Sequence, residues 1–160
     1  MQEDILQILQ ADARTTPAQI AERLGRSARW VREQIKRLEA QGVIRKYKAV
    51  VNWEKAAQER VFAFIEVKVT PQRGVGFDAV AERILRFPEV HSLYLMSGAY
   101  DLHVVVQGDT MKEVAYFVAE KLAPLEHIQS TATHFVLKRY KVDGDILSEM
   151  ETAERLPVSL

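Results

Sequence analysis

The most constraining stretch of this 160-residue chain runs from Thr16 to Gly42, where two helix-forming segments are separated by one short glycine turn. Thr16 is placed to cap, Pro17 suits a first helical position, and Gln19 stands at capping-box spacing. Ile20 and Leu24 fall on one face, and Gly25 offers a left-handed stop. Ser27 is a fresh cap two residues later. The helix it opens runs to about Ala40, with Val31, Ile35 and Leu38 as its inward stripe, and Gly42 ends it. Before both, Ile5, Leu6, Ile8 and Leu9 recur at helical spacing and predict a helix over residues 2–11. Two short helices across a tight glycine turn make the helix-turn-helix pattern.

Charge gives that pattern a direction. The whole chain is neutral, with 22 Lys/Arg and 22 Asp/Glu, so it has no net field to steer it toward a polyanion. Residues 1–60 hold 12 Lys/Arg against 8 Asp/Glu, a net of +4, and residues 61–160 hold 10 against 14, a net of −4. Between Arg26 and Lys48 eight cations face only Glu33 and Glu39. With the stripe 31, 35 and 38 turned inward, Arg29, Arg32, Glu33 and Lys36 share the outward side, and Arg37 adds a further cation. Such a face fits a major groove, with contacts to base edges and phosphates. Ser27 and Ala28, at the helix N-terminus, offer N–H groups to a phosphate. Val43–Val51 reads as a strand, a wing with Arg45, Lys46 and Lys48 on phosphates. Trp30 has two readings: contact with a thymine methyl or the sugar-phosphate backbone, or packing on the first helix. Double-stranded DNA is the expected partner.

The second half alternates differently. Val61–Thr70, Val90–Met96, Tyr100–Gln107 and Ile128 to about Val142 read as strands. A loop marked by Pro71, Gly74 and Gly76 leads to a helix with Phe77, Val80, Ala81, Ile84, Leu85 and Phe87, stopped by Pro88. A second helix runs from Met111 through Leu122 and ends at Pro124. The order is βαββαβ, the ferredoxin-like arrangement. A two-residue turn at Gly98-Ala99 puts Leu93, Leu95, Leu102 and Val104 on one face and Tyr94, Met96, His103 and Val105 on the other. Phe62 and Phe64 likewise oppose Ala63 and Ile65. Helices cover only one face of such a sheet, so the second apolar face calls for a partner sheet, and a homodimer is expected.

Function classes fall away on composition. At 48% hydrophobic and 28% charged, the chain is globular rather than disordered. Without cysteine it has no disulfide, zinc ribbon or thiol chemistry. The acidic start Met1-Gln2-Glu3-Asp4 is unlike a secretory or transit leader, and no apolar run approaches a membrane span, so a cytoplasmic protein without membrane association is expected. The four histidines, His91, His103, His127 and His134, do not pair at metal-ligand spacing on a helix, and no cofactor is expected.

The combination of segments resembles the Lrp/AsnC (leucine-responsive, feast/famine) family of transcription regulators. The residues that carry the resemblance are Thr16–Gly25, Ile35–Ile44, Val50-Val51-Asn52, Ser97-Gly98-Ala99-Tyr100-Asp101-Leu102 and Thr131–Lys138, over about residues 2–140. It implies an α+β chain: an N-terminal winged helix-turn-helix over 1–48, a hinge strand and linker over 49–60, and a C-terminal ferredoxin-like βαββαβ domain over 61–142; the acidic stretch 143–160 lies outside the resemblance and reads as a flexible or helical extension. It further implies dimers, often four in a ring as an octamer, and an effector, usually an amino acid, beside the Gly-x-Tyr-Asp turn. Carried over, the effector site is Ser97, Gly98, Ala99, Tyr100 and Asp101. Exposed N–H groups of the turn would take a carboxylate, and Asp101 an α-ammonium. Ala99 stands where many members carry an acidic residue. Proteins of the same architecture also resemble siroheme decarboxylases, tetrapyrrole enzymes that depend on His and Arg. The stretch Arg45-Lys46-Tyr47-Lys48 lacks the histidine expected there, and the complete cationic helix favours DNA over an enzyme.

Overall fold

A reciprocal capping box starts the second helix of the chain. Gln19 N–H donates to Thr16 Oγ1 at 3.3 Å, and Thr16 N–H donates to Gln19 Oε1 at 2.9 Å. The computed structural model describes residues 1–56, 60–70 and 76–147, in two units, Met1–Val51 and Asn52–Leu160. The first unit holds α1 (Gln2–Ala11), α2 (Pro17–Leu24) and α3 (Ala28–Ala40). Gly25 adopts φ +62, the left-handed stop its position predicts, and Ser27 Oγ accepts Trp30 N–H at 3.2 Å to open α3. Ile5, Leu9, Ile20, Ala21, Val31 and Leu38 form one buried cluster, which locks α3 by its inward stripe.

The second unit is a four-stranded antiparallel sheet of β1 (Val61–Val69), β2 (Val90–Leu95), β3 (Leu102–Gly108) and β4 (Ile128–Phe135), in the order β2-β3-β1-β4. Helices α4 (Asp78–Ile84) and α5 (Met111–Tyr116) bury one face of it, α5 running on into a π-helical turn over Phe117–Leu122. Ala63, Ile65, Val67, Leu102, Val104 and Val106 point into that core and meet Val80, Ile84, Val114 and Phe117. The hairpin register pairs Leu95 with Leu102 and Leu93 with Val104, as a turn centred on Gly98-Ala99 requires. The opposite face carries Phe62, Phe64, Tyr94, His103 and Val105, and Phe64 is 41% and Tyr94 53% exposed.

Three expectations need correction. Val43–Val51 forms no strand among the described residues. The N–H groups of Val43 and Ile44 both return to Leu38 O, at 2.9 and 3.2 Å, finishing α3. Beyond them a β-branched run becomes a strand only where a neighbouring ladder takes its backbone groups. The strand expected from Ile128 to Val142 ends at Phe135, because its partner β1 begins at Val61 and the last bond is Val136 N–H to Phe62 O at 2.8 Å. The acidic extension expected from Asp143 begins instead as a hairpin of β5 (Lys141–Val142) and β6 (Asp145–Ile146). Asp143 and Gly144 both have positive φ, +49 and +97, the requirement of a tight two-residue turn. Residues 148–160 of that extension, and the loop markers Pro71 and Gly74, lie outside the described residues.

Candidate nucleic-acid interface and effector turn

Burial of Val31 and Leu38 turns Arg29, Arg32, Glu33, Lys36 and Arg37 outward, and all five are exposed. Arg29 Nε meets Glu33 Oε1 at 3.2 Å, an i,i+4 pair whose side chains are 85% and 60% exposed. A pair so open to solvent holds its partners weakly, so both stay available to an incoming surface. Ser27 is exposed at the head of the helix and Ala28 is half-buried behind it. Trp30 packs on the helical core. It is half-buried against the helical core, and the Arg26 guanidinium lies 5.6 Å above its ring. Arg26 also reaches Met1 Sδ at 3.3 Å, which ties the start of the chain to the start of α3.

Arg45, Lys46 and Lys48 are exposed on the irregular segment that follows α3. Sequence reasoning missed what holds this segment. Tyr47 Oη donates to Glu39 Oε1 at 2.9 Å, folding the basic stretch back along the end of α3. Burial, the bond to Glu39 and that carboxylate's charge together raise the Tyr47 phenol above its ordinary value. The one signal in the sequence was an acidic residue and a tyrosine eight positions apart across a glycine stop.

In the sheet domain the hairpin turn presents Ser97, Gly98 and Ala99 to solvent, with Tyr100 and Asp101 half-buried. Gly98 has φ +135, which a side chain would strain, and nothing lies within 4 Å of where its Cβ would sit. Asp101 is more than a solvated residue at the head of a strand. Its Oδ2 accepts Val69 N–H at 2.8 Å, its own N–H donates to Val67 O at 3.0 Å, and its carbonyl accepts Met96 N–H at 2.8 Å. The register of β1 on β4 slips between Lys68 and Val69, and the Asp101 carboxylate serves the amide at that bulge. One carboxylate oxygen is thus already engaged. Tyr100 Oη lies 3.4 Å from His103 Nδ1, which also neighbours the Tyr94 and Phe64 rings. His134, 3.7 Å from Glu66, and His91, whose ring meets Phe62 edge-on at 6.3 Å between centroids, stand on the same face, whereas His127 lies in the loop before β4.

A helix-turn-helix with an exposed cationic second helix, followed by a helix-backed antiparallel sheet, defines a two-domain DNA-binding regulator. A winged helix-turn-helix DNA-binding model matches residues 1–45, and an Lrp/AsnC ligand binding domain model matches residues 62–146, past the point where the sequence resemblance stopped. The chain belongs to the Lrp/AsnC family of transcriptional regulators. It is 48% identical over 157 residues to the uncharacterized HTH-type transcriptional regulator YugG of Bacillus subtilis, covering 98% of this chain and 95% of that one. It is 33% identical to the HTH-type transcriptional regulator FL11 of Pyrococcus furiosus, covering 86% and 87%. Among solved structures it superposes on a transcriptional regulator from Neisseria meningitidis in complex with L-Met, with a TM-score of 0.71 at 28% identity, covering 88% and 90%. Among the described residues no helix is long and apolar enough to cross a membrane.

Proposed function

We propose that this protein is a homodimeric regulator that reads duplex DNA with the outward face of α3 and responds to an amino acid at the turn 97–101. The observation that carries the reading is the joint exposure of Arg29, Arg32, Glu33 and Lys36 on a helix fixed by its buried stripe. Arg29 or Glu33 would meet base edges, while Arg32, Lys36, Arg37, Arg45, Lys46 and Lys48 serve phosphates. The effector part draws on the family's ligand binding domain and on the Neisseria relative's complex with L-Met. Gly98 leaves room for a ligand to approach the backbone there. The dimer part draws on the sheet face bearing Phe62, Phe64 and Val105, which α4 and α5 leave uncovered. Two copies joined there would offer two α3 helices to a roughly palindromic site.

Binding to DNA of its own promoter, followed by fluorescence anisotropy across a salt series, tests the reading. Saturable binding at low salt is expected, with a log–log slope that Arg45→Ala lowers by about 0.9. No retention at low salt would overturn it. Regulation rather than catalysis is part of the proposal, and a saturable shift of the Soret band on titrating tetrapyrrole with the protein would point to the enzyme instead.

A further inference from the structure

Where β1 begins and β4 ends, the sheet closes on a cleft of about 400 Å³, within the size range of small-molecule sites. Two stretches of chain wall it. One is the approach to β1, with Trp53 and Arg60. The other is the chain that leaves β4, Val136–Arg139, held to β1 by the bond from Val136 N–H to Phe62 O. Every residue of the lining is half-buried or exposed, with Met111 53% and Leu137 95% exposed, so a guest can reach each of them.

The cations give the cleft its chemistry. Arg60, Lys138 and Arg139 converge on it from two separate stretches, and Glu54 is the one carboxylate among the described residues that line it. Each cation rests on an aromatic ring. The Arg60 guanidinium lies 4.4 Å above Trp53, the Arg139 guanidinium 4.4 Å above Phe62, and Lys138 Nζ 5.2 Å above Tyr140. None of the three has a carboxylate or hydrogen-bond partner among the described residues. A guanidinium seated on a ring is held in place while its N–H donors stay free for an oxyanion. Three positive charges brought together against one carboxylate favour a negative guest.

The rest of the lining sets the body of that guest. Val61, Phe135 and Met111 add apolar surface beside the two stacked rings, so an inorganic anion would leave most of the cleft unused. Phe62 stands at the end of the open sheet face, and Arg139 already covers its ring, which puts the cleft at the margin of the surface assigned to the dimer. Arg26 on Trp30 is the same kind of stack in the helical unit, at 5.6 Å, but it brings a single cation.

We infer that this cleft binds a small aromatic carboxylate, its carboxylate taken by Arg60 and Arg139 and its ring lying on Val61, Phe135 and Met111. The site is separate from the turn 97–101 and does not depend on the effector reading made there.

Calorimetry with indole-3-acetate on the full chain tests it, with indole-3-acetamide as the uncharged control and acetate as the control without a ring. Saturable binding of indole-3-acetate is expected, with a dissociation constant below about 1 mM, at least about tenfold weaker binding of the amide, and none of acetate. Arg60→Gln, at an exposed position, should weaken indole-3-acetate about tenfold, as the loss of one charged hydrogen bond implies, and Arg139→Gln should do the same. On the unsubstituted protein the two tryptophans give an internal comparison that needs no variant to fold. The indole N–H signal of Trp53 should move with the amides of Val136–Arg139, while that of Trp30 stays in place. No saturable binding, equal binding of the amide or of acetate, undiminished binding by both arginine variants, or shifts centred on Ser97–Asp101 would overturn the assignment.

Discussion

The face of α3 and the turn at 97–101 are built to opposite rules. On α3 the backbone is fixed from behind by Val31 and Leu38, and Arg29, Arg32, Glu33 and Lys36 stand in solvent, held by no more than the open pair Arg29–Glu33 among the contacts described. At the turn the backbone itself is held, with Asp101 bonded to Met96, Val67 and Val69. A surface that reads a polyanion works by leaving long, charged side chains free on a rigid rod, so its selectivity lies in side-chain chemistry. A turn that meets a small ligand works by fixing where its N–H groups point, so its function depends on the residue that holds it.

Substitutions at four positions break or sharpen that contrast. The largest effect belongs to the support behind α3. Ile20→Ala empties a fully buried position and should cost about 2–5 kcal/mol. Urea unfolding should show the helical unit melting early while the sheet unit keeps its own transition, and a single shared shift would mean the two are not separately supported. Next comes Asp101→Ala, which strands the Val69 amide and should cost about 1–3 kcal/mol. Asp101→Asn keeps an acceptor and should recover much of that in the same melt. Ser27→Ala removes the α3 cap and should cost about 1 kcal/mol, visible as a lower melting temperature of the helical unit.

The smallest effect is at Tyr47. Its raised phenol means the bond to Glu39 is intact below the ordinary value of 10.0 and is lost as pH climbs through the raised one. Tyr47→Phe should lower DNA affinity only slightly and should remove any loss of binding that the native protein shows at high pH. Anisotropy titrations of both proteins across that range would show it.

Much of this was legible in the sequence because it is local. The capping box at Thr16 and Gln19, the Gly25 stop and the Ser27 cap are short-range rules, and the structure places each where those rules put it. The βαββαβ order and the β2–β3 register followed from period-two alternation about one glycine turn. What failed was non-local. The run Val43–Val51 has strand composition, but a strand needs a neighbour, and composition does not supply one. The length of β4 is set by where β1 begins, and the Asp101–Val69 bond by a bulge 32 residues away. The stacks of Arg60 on Trp53 and of Arg139 on Phe62 leave no mark in hydrophobic periodicity.

The central claim is that the exposed side chains of α3 choose the DNA sequence while the basic segment after it supplies affinity. Competition anisotropy between a selected site and random duplex, run with the native protein, Arg29→Ala and Glu33→Ala, tests it most directly. Preference for the selected site should fall by about 1–3 kcal/mol for whichever of the two touches a base edge, with the salt slope largely kept by Arg45, Lys46 and Lys48. Undiminished preference in both variants would contradict the account.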